Sequence, residues 1–179
     1  MIRLFVAIDL PPSVRGELGL LCAGVRGAKW LDFEQFHLTL RFIGEVDGAV
    51  FADIASALTA IATPVLELRF AGLGAWGDRR RAHVLWAGVA PNAALDTLQA
   101  KIENALMRAG IAPSLRKFHP HVTLARLKGA PNGHIAEFLA AHGGFATSGF
   151  MADRFTLYSS FLGHNGAIHR VEAVYPLDN

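Results

Sequence analysis

The sequence is poor in cysteine and in lysine. Its one cysteine, Cys22, excludes an internal disulfide and a cysteine-based metal site, and a cytoplasmic protein is the simplest interpretation. Only four of its 17 basic residues are lysines. The others are arginines, whose forked guanidinium groups suit phosphate oxygens, although a genome rich in G and C would favour arginine equally. The formal net charge of +2 is too small to predict a long nucleic-acid groove.

Long apolar runs and nucleotide-binding loops are absent as well. No run approaches the roughly 18 residues that a membrane span needs, so we expect no membrane association. The first apolar run, Leu4 to Ile8, ends at Asp9; it is too short for a signal-peptide core and predicts a first strand. There is no G-x-x-x-x-G-K-S/T loop for a nucleoside triphosphate and no K-x-D-G setting for adenylation. We therefore expect no cofactor.

The order of predicted elements favours an α+β fold. The composition, 52% hydrophobic and 18% charged, is typical of a globular chain. Strand and helix patterns lack the regular alternation of a doubly wound sheet, which favours mostly antiparallel sheets with flanking helices. The predicted strands cover residues 3–9, 37–44, 65–73, 82–89, 121–127, 154–162 and 167–175, and the predicted helices cover residues 13–25, 49–62, 93–109 and 134–142.

One tetrapeptide, His-x-Thr-Leu, occurs twice, at residues 37–40 and 121–124. Eight histidines and seven threonines in 179 residues predict about 0.3 His-x-Thr pairs by chance, so the repeat is informative. The surrounding sequences, HLTLRFIG and HVTLARLKG, share spacing and register. We interpret residues 1–179 as one domain with two similar lobes that face each other, each contributing one motif.

The spacing within each motif has a structural meaning on a strand. Residues i and i+2 project from the same face, so His37 and Thr39 point one way, as do His121 and Thr123. The intervening apolar residues point into the core; they are Leu38, Leu40, Val122 and Leu124. Two such strands across a cleft would present two imidazoles and two hydroxyl groups.

This set of groups suits displacement at phosphorus. The ordinary histidine pKa of about 6.5 allows one ring to be neutral and the other protonated near neutral pH, as a general base and a general acid require. Threonine hydroxyls can donate to the non-bridging oxygens, where negative charge lies in the transition state. The ring strain of a cyclic phosphate lowers the barrier, so this chemistry needs no metal ion.

The chain resembles the two-histidine (2H) phosphoesterase superfamily, specifically its LigT-like RNA 2′,3′-cyclic phosphodiesterases. The resemblance rests on RLFVAIDLP at 3–11, HLTLRFIGEV at 37–46, FHPHVTLAR at 118–126 and FTLYSS at 155–160. It implies a bilobal fold with a central cleft lined by both motifs. It also implies hydrolysis of a terminal 2′,3′-cyclic phosphate to a 2′-phosphate, with 2′–5′ RNA joining in some relatives. The expected partners are RNA ends or nucleotides with a cyclic phosphate, tRNA halves among them, and the expected state is a monomer.

The resemblance also implies roles for individual residues. His37 would be the proton donor to the departing 3′ oxygen, and His121 the proton acceptor that activates water. Thr39 and Thr123 would hold the phosphate. Arg126 matches a position at which the family often carries an arginine that faces the phosphate.

Two arginines near the motifs raise a question of strand geometry. Strict alternation puts Arg126 on the strand face opposite His121, so it must lie past a bulge or a strand end to reach the phosphate; otherwise it is a solvated arginine. Arg41 has the right parity with His37, but the position looks variable in the family, and we leave it out of the site.

Other residues have a bland and a functional interpretation. His119 and His121 could ligate a metal, but there is no cysteine or acidic cluster nearby, and we expect no metal site. Asp9 is expected to cap the following helix rather than to act in catalysis. The tripeptide 79–81, Arg-Arg-Arg, could contact RNA or form a solvated turn. For several aromatic residues, core packing is favoured over stacking on a base; they are Trp30, Phe42, Trp76, Trp86 and Tyr158. Surface or supporting roles are expected for the remaining histidines, which are His83, His134, His142, His164 and His169.

Three alternatives to RNA hydrolysis stay open. The chain could be a binding module that holds an RNA end without turnover, although both complete motifs argue against this. It could be a ligase that works in the joining direction with the same residues. It could also act on small cyclic nucleotides such as ADP-ribose 1″,2″-cyclic phosphate.

Overall fold

The computed structural model of the chain describes residues 1–163 and 166–178. Within these ranges there are ten strands, four α-helices and one turn of 3-10 helix at Phe33–Gln35. The strands are β1 (Ile2–Asp9), β2 (Ala28–Trp30), β3 (His37–Val46), β4 (Leu66–Leu68), β5 (Phe70–Gly77), β6 (Arg81–Val89), β7 (His121–Pro131), β8 (Phe150–Ala152), β9 (Arg154–Gly163) and β10 (Gly166–Pro176). The helices are α1 (Pro12–Gly19), α2 (Gly48–Leu58), α3 (Ala93–Arg108) and α4 (Asn132–Ala141).

The strands form two four-stranded sheets and one two-stranded ribbon. Sheet A has the order β10-β9-β1-β3, sheet B has the order β2-β7-β6-β5, and β4 pairs with β8. Every pairing between these strands is antiparallel. The predicted α+β class with antiparallel sheets is therefore confirmed.

Each sheet takes strands from both halves of the sequence. In sheet A, β1 and β3 pair with each other, and β9 from the second half is added beside β1. Counting β1 to β5 as the first half and β6 to β10 as the second, sheet B has β6 and β7 from the second half, joined by α3, with β5 added beside β6 and β2 beside β7 from the first half. The strand triplets β9-β1-β3 and β5-β6-β7 thus have the same layout and exchange one strand. On this basis we propose that the chain folds as one domain.

One face of each motif strand, β3 and β7, is buried in the core. Leu38, Leu40, Val122 and Leu124 are at most 2% exposed, as the period-two pattern predicts. They lie in one core with the apolar face of α3, which consists of Leu95, Leu98, Ile102, Ala105 and Leu106. Burying each such side chain contributes about 1.5–3 kcal/mol, so both motifs are fixed at positions that are hard to move.

Side-chain caps fix where two of the helices begin. The Asp47 carboxylate accepts a hydrogen bond from the Val50 backbone N–H at 2.9 Å, which starts α2 directly after β3. The Asn92 side chain accepts from Leu95 N–H, also at 2.9 Å, and starts α3. Gly110, with a φ of 83°, follows the end of α3, as the sequence predicts.

Several predicted boundaries are wrong. The helix predicted over 13–25 ends at Gly19, because the chain then turns through Gly24 and Gly27, both of positive φ, into β2. The strand predicted over 65–73 divides at Arg69, since β4 pairs with β8 whereas β5 pairs with β6 and continues to Gly77. The three-residue strands β2 and β8 are too short to give a period of their own.

Gly74 on β5 leaves room for the indole of Trp86, which lies directly opposite on β6. A Cβ added at Gly74 would lie 2.2 Å from Cζ2 of Trp86. We expect Gly74→Ala to lower the free energy of unfolding by about 1–3 kcal/mol through overpacking. Urea unfolding followed by tryptophan fluorescence would measure this.

The matched control is Gly16→Ala in α1, where an added Cβ has no atom within 4 Å. Because alanine favours the helix, this change should raise the free energy of unfolding by up to about 1 kcal/mol. Equal losses of stability in both variants would contradict the close approach of Gly74 and Trp86.

Candidate functional site

The two motif histidines make the same hydrogen bond. His37 Nδ1 lies 2.7 Å from the carbonyl oxygen of Gln35, and His121 Nδ1 lies 2.6 Å from that of His119. A carbonyl oxygen can only accept, so each ring carries its proton on Nδ1 when it is neutral. This leaves Nε2 of both rings to accept a proton, or to donate one once the ring is charged.

A β-bulge in β7 sets the direction of Arg126. Thr123 and Ala125 face consecutive residues of β6, so Leu124 is the extra residue of the bulge. Leu124 and Ala125 are both buried, and alternation resumes with an exposed Arg126. Arg126 therefore shares the strand face of His121 and Thr123, past a bulge of the kind that this placement requires.

The first motif has the same bulge, with a different result. Leu40 is the extra residue of β3 opposite β1. Past the bulge, Arg41 lies on the core side, where its guanidinium pairs with Glu103 of α3 at 2.6 Å; the two side chains are only 11% and 19% exposed. Strict alternation predicted that Arg41 and His37 lie on the same face of the strand, and this prediction is wrong. Phe42, 48% exposed, takes the outward position.

The ring of His37 lies in an aromatic cluster on the open face of sheet A. Its centroid is 5.0 Å from that of Phe5 and 5.3 Å from that of His169, which meets it edge-on. Phe5 also stacks on Tyr158 at 5.2 Å. His169 carries no motif, so no sequence pattern indicates that it lies beside His37; its position follows from the pairing of β10 with β9.

Asp9 lies directly opposite His37 in the β1–β3 pairing. Its carboxylate accepts hydrogen bonds from the hydroxyl groups of Thr156, at 3.1 Å, and of Tyr158. The residue before α1 is Pro11, which makes no side-chain cap. The expectation that Asp9 caps this helix is therefore wrong, and its charge lies on the site face of sheet A instead.

The ring of His121 has an aromatic wall of its own. Its centroid lies 4.4 Å from that of Trp76, edge-on, and Trp86 contacts His119 at 4.7 Å. Trp76 is 39% exposed, and the indole Nε1 of Trp86 is buried without a hydrogen-bond partner among the described residues. Two of the aromatic residues considered for base stacking thus lie beside a motif histidine.

Burial is the largest influence on both motif histidines. It lowers the pKa of His37 to about 4, although the hydrogen bond to Gln35 and the charge of Asp9 act in the opposite direction. Burial also lowers the pKa of His121, and the positive charge of Arg126 lowers it further. Both rings are therefore neutral at pH 7 in the free protein. The two rings differ in that a carboxylate, Asp9, acts on His37 together with the positive charges of His169 and Arg15, whereas only positive charges act on His121.

The motif threonines lie beside the histidines with free hydroxyl groups. Thr39 and Thr123 are partly buried, and neither hydroxyl takes part in a hydrogen bond within the described residues. The strands that carry them, β3 and β7, contact each other. Two imidazoles and two hydroxyl donors thus project from neighbouring strands with buried backs.

Other sequence-predicted features lie apart from the two histidines. Trp30 packs on Phe138 of α4, so it belongs to the core. Arg79 and Arg80 lie in the turn between β5 and β6 and Arg81 begins β6; the Arg80 and Arg81 backbone N–H groups donate to Asp78. His164 lies outside the described residues.

No group of three or more potential metal ligands occurs within residues 1–163 and 166–178. No helix in these ranges is long and apolar enough to cross a membrane.

Comparison with known proteins gives consistent matches over most of the chain. The sequence model of the family described as "LigT like Phosphoesterase" matches residues 8–86 and again residues 88–169, one match in each half. An RNA 2′,3′-cyclic phosphodiesterase of Aeropyrum pernix is 36% identical over 144 residues, covering 79% of this chain and 82% of that protein. A protein of the same name from Thermotoga maritima is 31% identical, covering 94% and 92%. The crystal structure of E. coli LigT complexed with 3′-AMP is similar with a TM-score of 0.80 and 26% identity, covering 99% of both chains. By sequence and by fold, the chain belongs to the LigT-like phosphoesterase family.

Proposed function

We propose that this protein hydrolyses the terminal 2′,3′-cyclic phosphate of RNA to a 2′-phosphate. One observation carries the proposal: His37 and His121 lie on contacting strands, bonded alike through Nδ1, with Nε2 left for proton transfer. The relatives from A. pernix and T. maritima carry this activity in their names, and the complex of E. coli LigT is with a nucleotide, 3′-AMP.

The reaction divides between the two rings. Nε2 of neutral His121 accepts a proton from water as the water oxygen forms its bond to phosphorus. The bond between phosphorus and the 3′ oxygen breaks, and Nε2–H of protonated His37 delivers a proton to that oxygen. The products are a 2′-phosphate and a 3′-hydroxyl, and a proton moves from His121 to His37 through solvent before the next turnover.

Hydrogen-bond donors beside the histidines stabilise the phosphate. The free hydroxyl groups of Thr39 and Thr123 donate to the non-bridging oxygens. The bulge at Leu124 turns Arg126 toward the same face, where its guanidinium can also bind a phosphate oxygen. The ring strain of the substrate and these donors make a metal ion unnecessary in this mechanism.

We assign His37 as the acid and His121 as the base, as the family resemblance implies. Asp9 supports this assignment by stabilising protonated His37, although burial and the charges of His169 and Arg15 act against it. Arg126 destabilises the protonated form of His121. A bound phosphate adds a negative charge, worth about 4 kcal/mol at roughly 4 Å and an effective dielectric constant of 20. At about 1.4 kcal/mol for each pKa unit, this is enough to raise the pKa of His37 from about 4 to near neutrality.

We further propose that the enzyme is a cytoplasmic monomer that acts on RNA ends, tRNA halves among them. The single cysteine fits a reducing compartment. RNA joining through a 2′–5′ linkage would be the same displacement with a 5′-hydroxyl in place of water, forming a bond from phosphorus to the 5′ oxygen as the 3′ oxygen leaves, and would be a side activity.

A prediction on catalysis concerns both histidines. We expect His37→Ala and His121→Ala each to lower kcat about 10²–10⁴-fold, because each removes one proton-transfer group. The substrate is an oligoribonucleotide that ends in a 2′,3′-cyclic phosphate, in excess EDTA, with chromatographic separation of 2′- and 3′-phosphate products. The matched control is His134→Ala on the exposed surface of α4, which should retain wild-type activity.

Each outcome of this assay has a definite meaning. EDTA-resistant formation of the 2′-phosphate, lost in both variants with folding retained, supports the two-histidine mechanism. Binding of the RNA end without turnover by the wild type would identify a binding module instead. Adding RNA with a 5′-hydroxyl and finding mainly joined product would identify a ligase.

A further prediction concerns proton uptake. NMR titration of the imidazole signals should give His37 a pKa near 4 in the free protein and a clearly higher one with adenosine 2′-monophosphate, because the phosphate stabilises the charged ring. The ligand should therefore bind more tightly as the pH falls from 7 to 5. Asp9→Asn should lower the pKa of His37 further, since a negative charge is removed.

The same variant provides the control within one molecule. Asp9→Asn should leave the pKa of His121 unchanged, because Asp9 lies on the other sheet and is not among the groups that shift it. A pKa of His37 that does not respond to the bound phosphate would remove the basis for its role as proton donor.

A further inference from the structure

Sheet B carries a row of basic side chains beyond the second motif. Arg126 and Lys128 of β7 and Lys29 of β2 are all exposed. Between the first two, Leu127 is buried in a cluster with Phe138 of α4, which covers the back of this sheet. The register of β7 with β6 shifts after Arg126, but its pairing with β2 stays regular as far as Lys128, whose N–H donates to the Gly27 carbonyl. Arg126 and Lys128 therefore project from the opposite side, which is the face of His121.

Lys29 lies directly opposite Arg126 in the β2–β7 pairing. Like charges directly opposite each other across a sheet are destabilising. No carboxylate relieves the repulsion, since neither residue, nor Lys128, forms a salt bridge within the parts of the chain that the structure describes. The arrangement weakens the fold, as is expected where a ligand supplies the missing negative charge.

The corresponding positions of the first motif strand are uncharged. The shared bulge aligns Phe42 of β3 with Arg126 of β7, and the next two residues of β3, Ile43 and Gly44, are uncharged. The basic row is therefore a property of sheet B alone and does not follow from the duplicated motif. Along the motif strand itself, positive charge continues only on the His121 side; on the other side, Phe42 holds the corresponding position and the guanidinium of Arg3 from β1 lies over its ring.

The direction of the row follows β7 away from the proposed reaction centre. Thr123 is followed past the bulge by Arg126 and then by Lys128, with about 7 Å between residues two apart on a strand. The end of β7 pairs with Arg81 at the β5–β6 turn. A chain of regularly spaced anions leaving the phosphate site would meet these cations in succession.

We propose that Lys29 and Lys128, together with Arg126, form a binding track for the backbone phosphates that precede the cyclic end of an RNA chain. The proposal rests on the proposed function and names its substrate class, an oligoribonucleotide rather than a cyclic mononucleotide. The track has no base-specific group, so it binds by charge and is independent of sequence.

The test compares two substrates in the full-length protein. A ribohexanucleotide ending in a 2′,3′-cyclic phosphate and adenosine 2′,3′-cyclic monophosphate are hydrolysed by the wild type, by Lys29→Gln, Lys128→Gln and the double variant, over a range of salt concentrations. We expect the ratio of kcat/KM for the hexanucleotide over the mononucleotide to fall at least about fivefold in the double variant. The slope of log kcat/KM against log salt for the hexanucleotide should shrink by about 0.7 for each lysine removed.

Two controls separate this effect from loss of structure or of overall charge. Arg108→Gln removes a positive charge from the exposed end of α3 and should leave both substrates and the salt slope at wild-type values. Lys29→Gln should raise the melting temperature, because it relieves the repulsion from Arg126. A structural role of Lys29 would lower the melting temperature and would contradict the proposal.

The remaining outcomes distinguish this proposal from the proposed function. An unchanged substrate ratio and salt slope in the double variant would overturn the track while leaving the hydrolase intact. If the wild type hydrolyses neither substrate, the proposed function fails. The binding track is then tested by itself, from the affinity for a labelled hexanucleotide ending in a 2′-phosphate, measured by fluorescence anisotropy. Equal affinity of the wild type and the double variant in that measurement would overturn it.

Discussion

The burial of the backs of β3 and β7 is the constraint on which the rest of the site depends. Leu38, Leu40, Val122 and Leu124 are held in the core that α3 completes. Each contributes about 1.5–3 kcal/mol against a total free energy of unfolding that is about 5–15 kcal/mol for proteins of this kind. Their alternation with the histidines and threonines fixes the direction of all four polar side chains. The catalytic groups that we propose therefore stand on some of the least movable backbone in the molecule.

The hydrogen bonds to the carbonyl groups of Gln35 and His119 complete this positioning. A buried imidazole can rotate about its side-chain bonds and can carry its proton on either nitrogen, and its position on a strand prevents neither. The bond from Nδ1 holds the ring plane and selects the tautomer. Since both rings are set alike, local geometry does not decide which of them is the acid. That difference has to come from the charges around them.

The surroundings supply that difference at corresponding positions of the two halves. The residue opposite His37 is Asp9, whereas the residue opposite His121 is Gly88. On the other side of the bulge, the second half has Arg126 where the first has Phe42. Asp9 thus acts to stabilise a charged His37 and Arg126 to destabilise a charged His121, although burial lowers the pKa of both, that of His37 to about 4. A nearly symmetric framework can in this way support a reaction that needs one acid and one base.

The sequence alone predicts the features that depend on the local periodicity of apolar residues, but not those that depend on which strands pair. The faces of the motif strands follow from a period of two, and the start and end of α3 follow from Asn92 and Gly110. The sequence predicted that Arg126 faces the phosphate only if β7 has a bulge or ends before it. A bulge is defined by the register with β6, and this register cannot be read from the sequence of β7 alone. The same cause made strict alternation fail at Arg41. His169 reaches His37 only through the pairing of β10 with β9, which is a tertiary event.

The exchange of β5 and β9 between the halves explains why two similar units form one site. Had each half kept its own last strand, two separate sheets would present two motifs with nothing to fix one relative to the other. With β5 beside β6 and β9 beside β1, each motif sheet is built partly from the other half of the chain. The contact of β3 with β7 then joins the two motif strands directly. What the halves share, namely the motif, its bulge and its histidine bond, serves to position the polar groups. What differs between them, namely Asp9 against Gly88 and the basic row of sheet B, would set the direction of proton transfer and the side on which the RNA chain lies.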